Sequence, residues 1–179
     1  MAESEPEVTY QPKFSGGATV GTGQRDAEGR YAAISPHVPE GSIVLDFGSE
    51  RGYFAHRLAA ERGCFVVAVD PKAEPRPGVR VVHEKLGPAG IRTLRAFNAA
   101  LALSVLHHCV PWRDHLDALM DAAPLLFIET PHPDEVLRRV PRDRVVELYD
   151  HVLTLGPVIC ETGGVYDASI LRPTVMVSR

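Results

Sequence analysis

At 179 residues, 45% hydrophobic and 23% charged, the chain has an ordinary soluble composition and room for one full α/β core. A formal net charge of −4 argues against a nucleic-acid binder driven by bulk electrostatics. The three widely spaced cysteines, Cys64, Cys109 and Cys160, form no C-x-x-C pair, and the longest apolar run, around residues 98–105, is too short to span a bilayer.

Residues 1–23 are rich in Pro, Gly, Ser, Thr and Glu without a sustained period. They read as a disordered tail or an arm that orders on binding, followed by a single domain over residues 24–179. The opening MAESEPE lacks the basic-then-apolar pattern of a signal peptide, so a soluble cytoplasmic protein is expected.

Residues 24–35 carry a weak helical pattern that ends before Pro36. A regular rhythm then begins. Short apolar runs at 42–47, 65–69, 79–82, 99–105 and 125–129 are strand candidates. Helix-type spacing falls at 53–62, 90–95, 112–122 and 134–155, the last broken or kinked at Pro141. Continuous apolar strands alternating with helices predict a mostly parallel sheet covered on both faces. The proline-rich PKAEPRPG after Asp70 is too short for a crossover helix. PVICETGG and ILRPTVMVSR have no helix between them and predict a closing antiparallel hairpin. The whole is a Rossmann-like α/β fold with seven strands.

In open α/β sheets ligands bind beyond the carboxyl ends of the strands. The first two ends read LDFGSERGYF and VVAVDP. Together with AALALSVLHHC, APLLFIETP and the final hairpin, they resemble the class I S-adenosylmethionine-dependent methyltransferases over residues 41–179. That family has a D/E-x-G-x-x-x-G turn after its first strand and an acidic residue ending its second. Glu50 stands where the family usually has glycine.

Glu50 has chemical meaning. A dinucleotide fold brings a glycine loop close to a pyrophosphate, which Glu50 would repel. S-adenosyl-L-methionine has no phosphate; it carries a sulfonium, an ammonium and a carboxylate. A helix N-terminus can take the carboxylate, Asp46 and nearby carbonyls the ammonium, and Asp70 both ribose hydroxyls. Asp46-x-Gly48 and Gly52 would otherwise be a plain strand-to-helix turn, and Asp70-Pro71 a plain strand terminator.

The resemblance places Asp46, Gly48, Ser49, Gly52, Tyr53, Asp70, Pro71, Leu86, Ser104 and Val105 at the cofactor. His107 and His108 follow the fourth strand, where a histidine can take a proton from a hydroxyl or amine acceptor. Their plainer roles are strand capping and surface exposure. Trp112, Glu129 and His132 are candidates for the acceptor pocket; the alternatives are packing for Trp112 and the start of the next helix for the others. His107, His108, Cys109 and His115 lack the H-x-x-x-H or C-x-x-C spacing of a metal site, and none is expected. LRRVPRDR reads better as a solvated face than as a phosphate contact. The implied activity is methyl transfer to an O or N nucleophile of a small molecule or RNA. The rival is a catalytically silent methyltransferase fold serving as a binding or scaffolding subunit.

Overall fold

The computed structural model describes residues 10–94, 96–164 and 167–179. Its first element is a hairpin of β1 (Lys13–Ser15) and β2 (Ala18–Val20). Helix α1 (Ala27–Ile34) follows, capped by Asp26, whose carboxylate accepts from the Gly29 N–H at 2.8 Å. Five parallel strands come next: β3 (Ile43–Phe47), β4 (Phe65–Val69), β5 (Val79–Val82), β6 (Ala99–Leu103) and β7 (Leu125–Glu129). Between or after them lie α2 (Tyr53–Arg62), α3 (Pro88–Thr93), α4 (Trp112–Ala122) and α5 (Arg142–Leu153). Strands β8 (Val158–Gly163) and β9 (Leu171–Ser178) close the sheet as an antiparallel hairpin, with β9 also antiparallel to β7.

The strand order is β5-β4-β3-β6-β7-β9-β8. It reverses direction between β3 and β6, which puts the switch point at their carboxyl ends. Period-two alternation sorts the core into two layers. Leu45, Phe47, Ala100, Ala102, Leu126 and Ile128 pack with Leu116, Leu119, Leu148 and Val152 of α4 and α5. Val44, Leu101, Leu103 and Phe127 pack on the other face with Tyr31 and Ile34 of α1 and Phe54 and Leu58 of α2. Each such fully buried Leu or Phe contributes roughly 1.5–3 kcal/mol. No described helix is long and apolar enough to cross a membrane.

The expected helix over 134–155 is shorter. Pro141 is the N-cap of α5, which begins at Arg142. Pro141 cannot donate to a preceding turn and biases Val140 away from helical geometry, so residues 133–140 form a turn-rich loop instead. Residues 10–23 of the proposed arm carry the β1–β2 hairpin, while residues 1–9 lie outside the described residues. Buried Phe14 anchors that hairpin, meeting the Tyr53 ring edge-on at 6.4 Å beneath the Arg57 guanidinium.

Candidate active site

The turn after β3 is laced to the end of β4. Gly48 and Ser49 both donate their N–H to the Val69 carbonyl, and Gly52 donates to Ser49 at 2.8 Å. Gly48 and Gly52 have φ of 76° and 92°, the left-handed region that favours glycine. A Cβ on Gly48 would lie 2.5 Å from Val105 Cγ2, so the backbone there fills space that a side chain would otherwise need. Glu50 also has positive φ, 51°, which accounts for the glycine usual at this position. Its carboxylate accepts from the Gln11 N–H, and burial raises its pKa.

Asp46 lies beneath the turn. It alternates with Leu45 and so faces α2, where it accepts from the Ala55 N–H in the first turn of that helix. Gly52, the N-cap, has no side chain to perform this role. Burial, with Asp70 nearby, pushes the Asp46 carboxyl up to about 7, and its Oδ2 has no hydrogen-bond partner among the described residues. A buried, half-satisfied carboxylate under a glycine turn is suited to a cationic group above it.

Two cavities flank the turn. One, of about 600 Å³, is lined by Gly48, Asp70, Pro71, Leu86, Val105 and His108, among others. The second, of about 360 Å³, includes Tyr10, Glu50, Ser104, His107, Arg138 and Arg172 in its wall. Both share Gly48, Asp70, Val105 and His108, so they are two halves of one cleft. At the floor of the second half, Arg172 donates through Nε and Nη2 to the two Glu135 oxygens, both at 2.6 Å. Its Nη1 donates to Ser104 Oγ at 2.9 Å and reaches the Tyr10 hydroxyl at 3.5 Å.

The histidines differ in state. His107 is buried, with its Nδ1 unpartnered among the described residues and its ring centroid 4.0 Å from that of His108. Burial, with His108 and Arg172 adding to it, pushes its pKa down to about 2. His108 is exposed at the junction of the two cavities. Its pKa is also lowered, first by partial desolvation and then by the charges of Arg172 and Lys85. Both imidazoles are therefore neutral near pH 7.

A family model for the methyltransferase domain matches residues 22–155, which contain the glycine turn, Asp70 and both histidines. The chain belongs to the methyltransferase domain family. S-adenosylmethionine is the cofactor of this class I fold.

The methyltransferase domain is 31% identical over 100 residues to the tRNA U34 carboxymethyltransferase of Proteus mirabilis, covering 49% of this chain and 31% of that protein. Among solved structures it is similar to the bifunctional kinase-methyltransferase WbdD, with a TM-score of 0.65 and 22% identity over 87% of this chain and 40% of that one. The chain therefore spans less than half the length of either relative. The 1,6-didemethyltoxoflavin-N1-methyltransferase of Burkholderia thailandensis, solved with its substrate and S-adenosylhomocysteine, gives a TM-score of 0.55 at 22% identity. That match covers 86% of this chain and 81% of that one. At these identities the structural likeness is one of fold.

Within the methyltransferase domain, the cleft brings together Gly48, Asp70, Pro71, Leu86, Ser104, Val105, His107 and His108. Asp46, Ser49 and Gly52 support the turn from below or beside it. Other candidates point elsewhere. Tyr53 is buried against Phe14 and Phe54, with its hydroxyl on Glu28 and Arg57. Trp112 is buried in the core beside His151 and Arg113, and it borders a different surface cavity. His132 stacks edge-on against Tyr149 at 5.2 Å, outside the cleft. Glu129 shares the α1 face of β7 with Phe127 and is wholly enclosed between Arg25 and Arg30.

Sequence reasoning missed these arginines. Arg30 Nη1 donates to Glu129 Oε2 at 2.7 Å, and Arg25 donates to Glu129 and Gly163 and to Thr162 Oγ1 at 3.0 Å. Burial lowers the Arg25 pKa to about 10. Glu129 at an apolar strand end was the available signal, but its partners lie about a hundred residues away. Arg172, a lone charge within the apolar run of β9, was the equivalent signal for the cleft.

Proposed function

We propose that this chain transfers the methyl group of S-adenosyl-L-methionine to a hydroxyl or amine of a small-molecule acceptor, in the cytoplasm. The observation that carries this reading is the single cleft whose two halves meet at Gly48, Asp70, Val105 and His108. A nucleoside fits the half lined by Asp70, Pro71 and Leu86, and the concave half beyond Ser104 suits a small acceptor better than a flat RNA surface. Three unpaired cysteines agree with a reducing compartment.

The residues fit the cofactor. Asp70 lines both halves and can accept from ribose hydroxyls; Asp46 and Glu50 favour the ammonium; the backbone of the turn and the start of α2 receive the carboxylate. When bound, the cofactor supplies an electrophilic methyl group on a sulfonium. Ser104, Val105 and the floor of the second cavity position the acceptor, and such positioning can supply much of the acceleration of an in-line displacement. His108 is a neutral base at the junction and takes the acceptor proton. His107, neutral and with its tilted ring 4.0 Å from that of His108, holds that ring in place.

The rival reading, a catalytically silent binding subunit, draws on Glu50 occupying a left-handed position usually given to glycine. Calorimetry with S-adenosylmethionine is the first test, and absence of binding at millimolar cofactor sinks the enzyme reading. Screening extracts with labelled cofactor separates the two: binding without transfer to any acceptor favours the silent fold. With an acceptor in hand, His108→Ala is expected to slow turnover by roughly 10²–10⁴ with cofactor affinity unchanged. Full activity in both His108→Ala and His107→Ala would remove the general base.

A further inference from the structure

The wall of the second cavity carries Lys72, Arg138 and Arg172 against the carboxylates Glu50 and Asp70. These charges are not evenly matched. Lys72 sits beside the turn: its N–H donates to Asp70 Oδ1 at 2.8 Å and its charge acts on Glu50. Those three groups balance among themselves and the cofactor ammonium. The far side of the cavity is different. Arg172 is 3% exposed and spends two of its donor nitrogens on Glu135, leaving Nη1 at the wall with Ser104 and Tyr10. Arg138, on the loop between β7 and α5, is exposed and has no hydrogen bond or ion pair among the described residues. Leu137 beside it also lines the cavity, so this stretch of LRRVPRDR faces the cleft. The acceptor side therefore has one guanidinium fixed by a buried carboxylate and a second without a counter-charge.

Guanidinium groups hold planar or tetrahedral oxyanions through paired N–H donors. A small acceptor entering here meets a positive wall opposite the neutral histidines. We propose that the acceptor carries an oxyanion group, a carboxylate or a phosphate ester, which docks on Arg138 and the Nη1 edge of Arg172. The group is a handle and not the methylated atom, because a guanidinium withdraws charge from any oxygen it holds and makes that oxygen a poorer nucleophile. The nucleophile is then a separate hydroxyl or amine presented to His108. This inference rests on the methyltransferase reading of the cleft and narrows its acceptor class.

The test uses the full chain saturated with S-adenosylhomocysteine in low-chloride buffer, titrated with inorganic phosphate, acetate and neutral acetamide. Binding is followed by the NMR signals of the arginine Nε–H groups. Saturable shifts with phosphate or acetate, absent with acetamide, are expected. Arg138→Gln should weaken the anion at least tenfold, and Arg138→Glu should abolish it, with S-adenosylhomocysteine affinity within twofold of the parent. Tighter phosphate supports a phosphate-ester acceptor; tighter acetate supports a carboxylate. Three results overturn the proposal: no saturable anion binding, equal binding of acetamide, or parallel loss of S-adenosylhomocysteine affinity in Arg138→Gln. The last would assign the guanidinium to the cofactor carboxylate. Failure of the parent protein to bind S-adenosylhomocysteine would instead remove the methyltransferase reading and this inference together.

Discussion

The two halves of the cleft are made from different materials. The half around Gly48, Asp70 and Leu86 is built from backbone turns at the ends of β3, β4 and β5, each set by a few adjacent residues. The half around Ser104 and Arg172 draws side chains from residues 10, 24, 138 and 172, far apart in the chain. A backbone site constrains its ligand through shape and dipoles, and it tolerates little change of conformation. A side-chain site sets charge and contour, and single substitutions can alter it without disturbing the turn. The difference suits an enzyme with one cofactor and an acceptor that varies between relatives.

The largest effect that would test this division is expected at Glu129, whose partners, like the side chains around Ser104 and Arg172, come from distant parts of the chain. Glu129→Gln leaves Arg25 and Arg30 buried without their carboxylate, and denaturant unfolding should show a loss of about 3–5 kcal/mol. Parent-like stability would mean that the fold does not depend on these distant partners. Gly48→Ala comes next. The left-handed φ and the contact with Val105 should cost about 1–3 kcal/mol of stability and at least tenfold in cofactor affinity by calorimetry, about 1.4 kcal/mol. Asp70→Ala should weaken S-adenosylmethionine by roughly 1–3 kcal/mol in a folded protein, and unchanged affinity would take Asp70 out of the site.

The smallest effect on cofactor affinity is one of pH. The Asp46 carboxyl has an ordinary value of 3.8 and is raised to about 7 in the folded state. Between those values the folded protein retains a proton that the unfolded chain has released. Its contribution to stability therefore falls as pH rises through that window and levels off above it. Ionised Asp46 favours the cofactor ammonium, so affinity should rise severalfold from pH 6 to pH 8. Asp46→Asn should flatten both profiles, measured by unfolding and calorimetry across pH. A flat parent profile would separate Asp46 from the cofactor.

How much of this was legible in the residues follows the same division. The strands of the parallel sheet announce themselves as continuous apolar runs, and Phe65–Val69, Val79–Val82 and Leu125–Glu129 fall where the pattern puts them. The glycine turn and Asp70 are local, so their meeting at one cleft could be anticipated from strand order. Glu129 shows the limit. Alternation with Ile128 fixes which face it occupies, but nothing nearby names Arg25 or Arg30 as its partners. Trp112 and His132 are acceptor-pocket candidates by residue type and position, and packing in the core and against Tyr149 turns them away from the cleft. LRRVPRDR reads as a solvated helix face, but Pro141 ends the expected helix, and Arg138 on the loop before it lines the cavity.

The Arg25 cluster bears on how the chain comes off the ribosome. Arg25 belongs to the first quarter of the chain, yet its partners are Glu129, Thr162 and the carbonyl of Gly163. During vectorial synthesis α1 can form early, but this guanidinium has only solvent to satisfy it until β7 and then β8 have emerged. The N-terminal helix and the C-terminal hairpin can thus be joined only after β8 has emerged, and a chain stalled before β8 would carry the glycine turn and Asp70 without Arg172 and the floor it gives the second cavity.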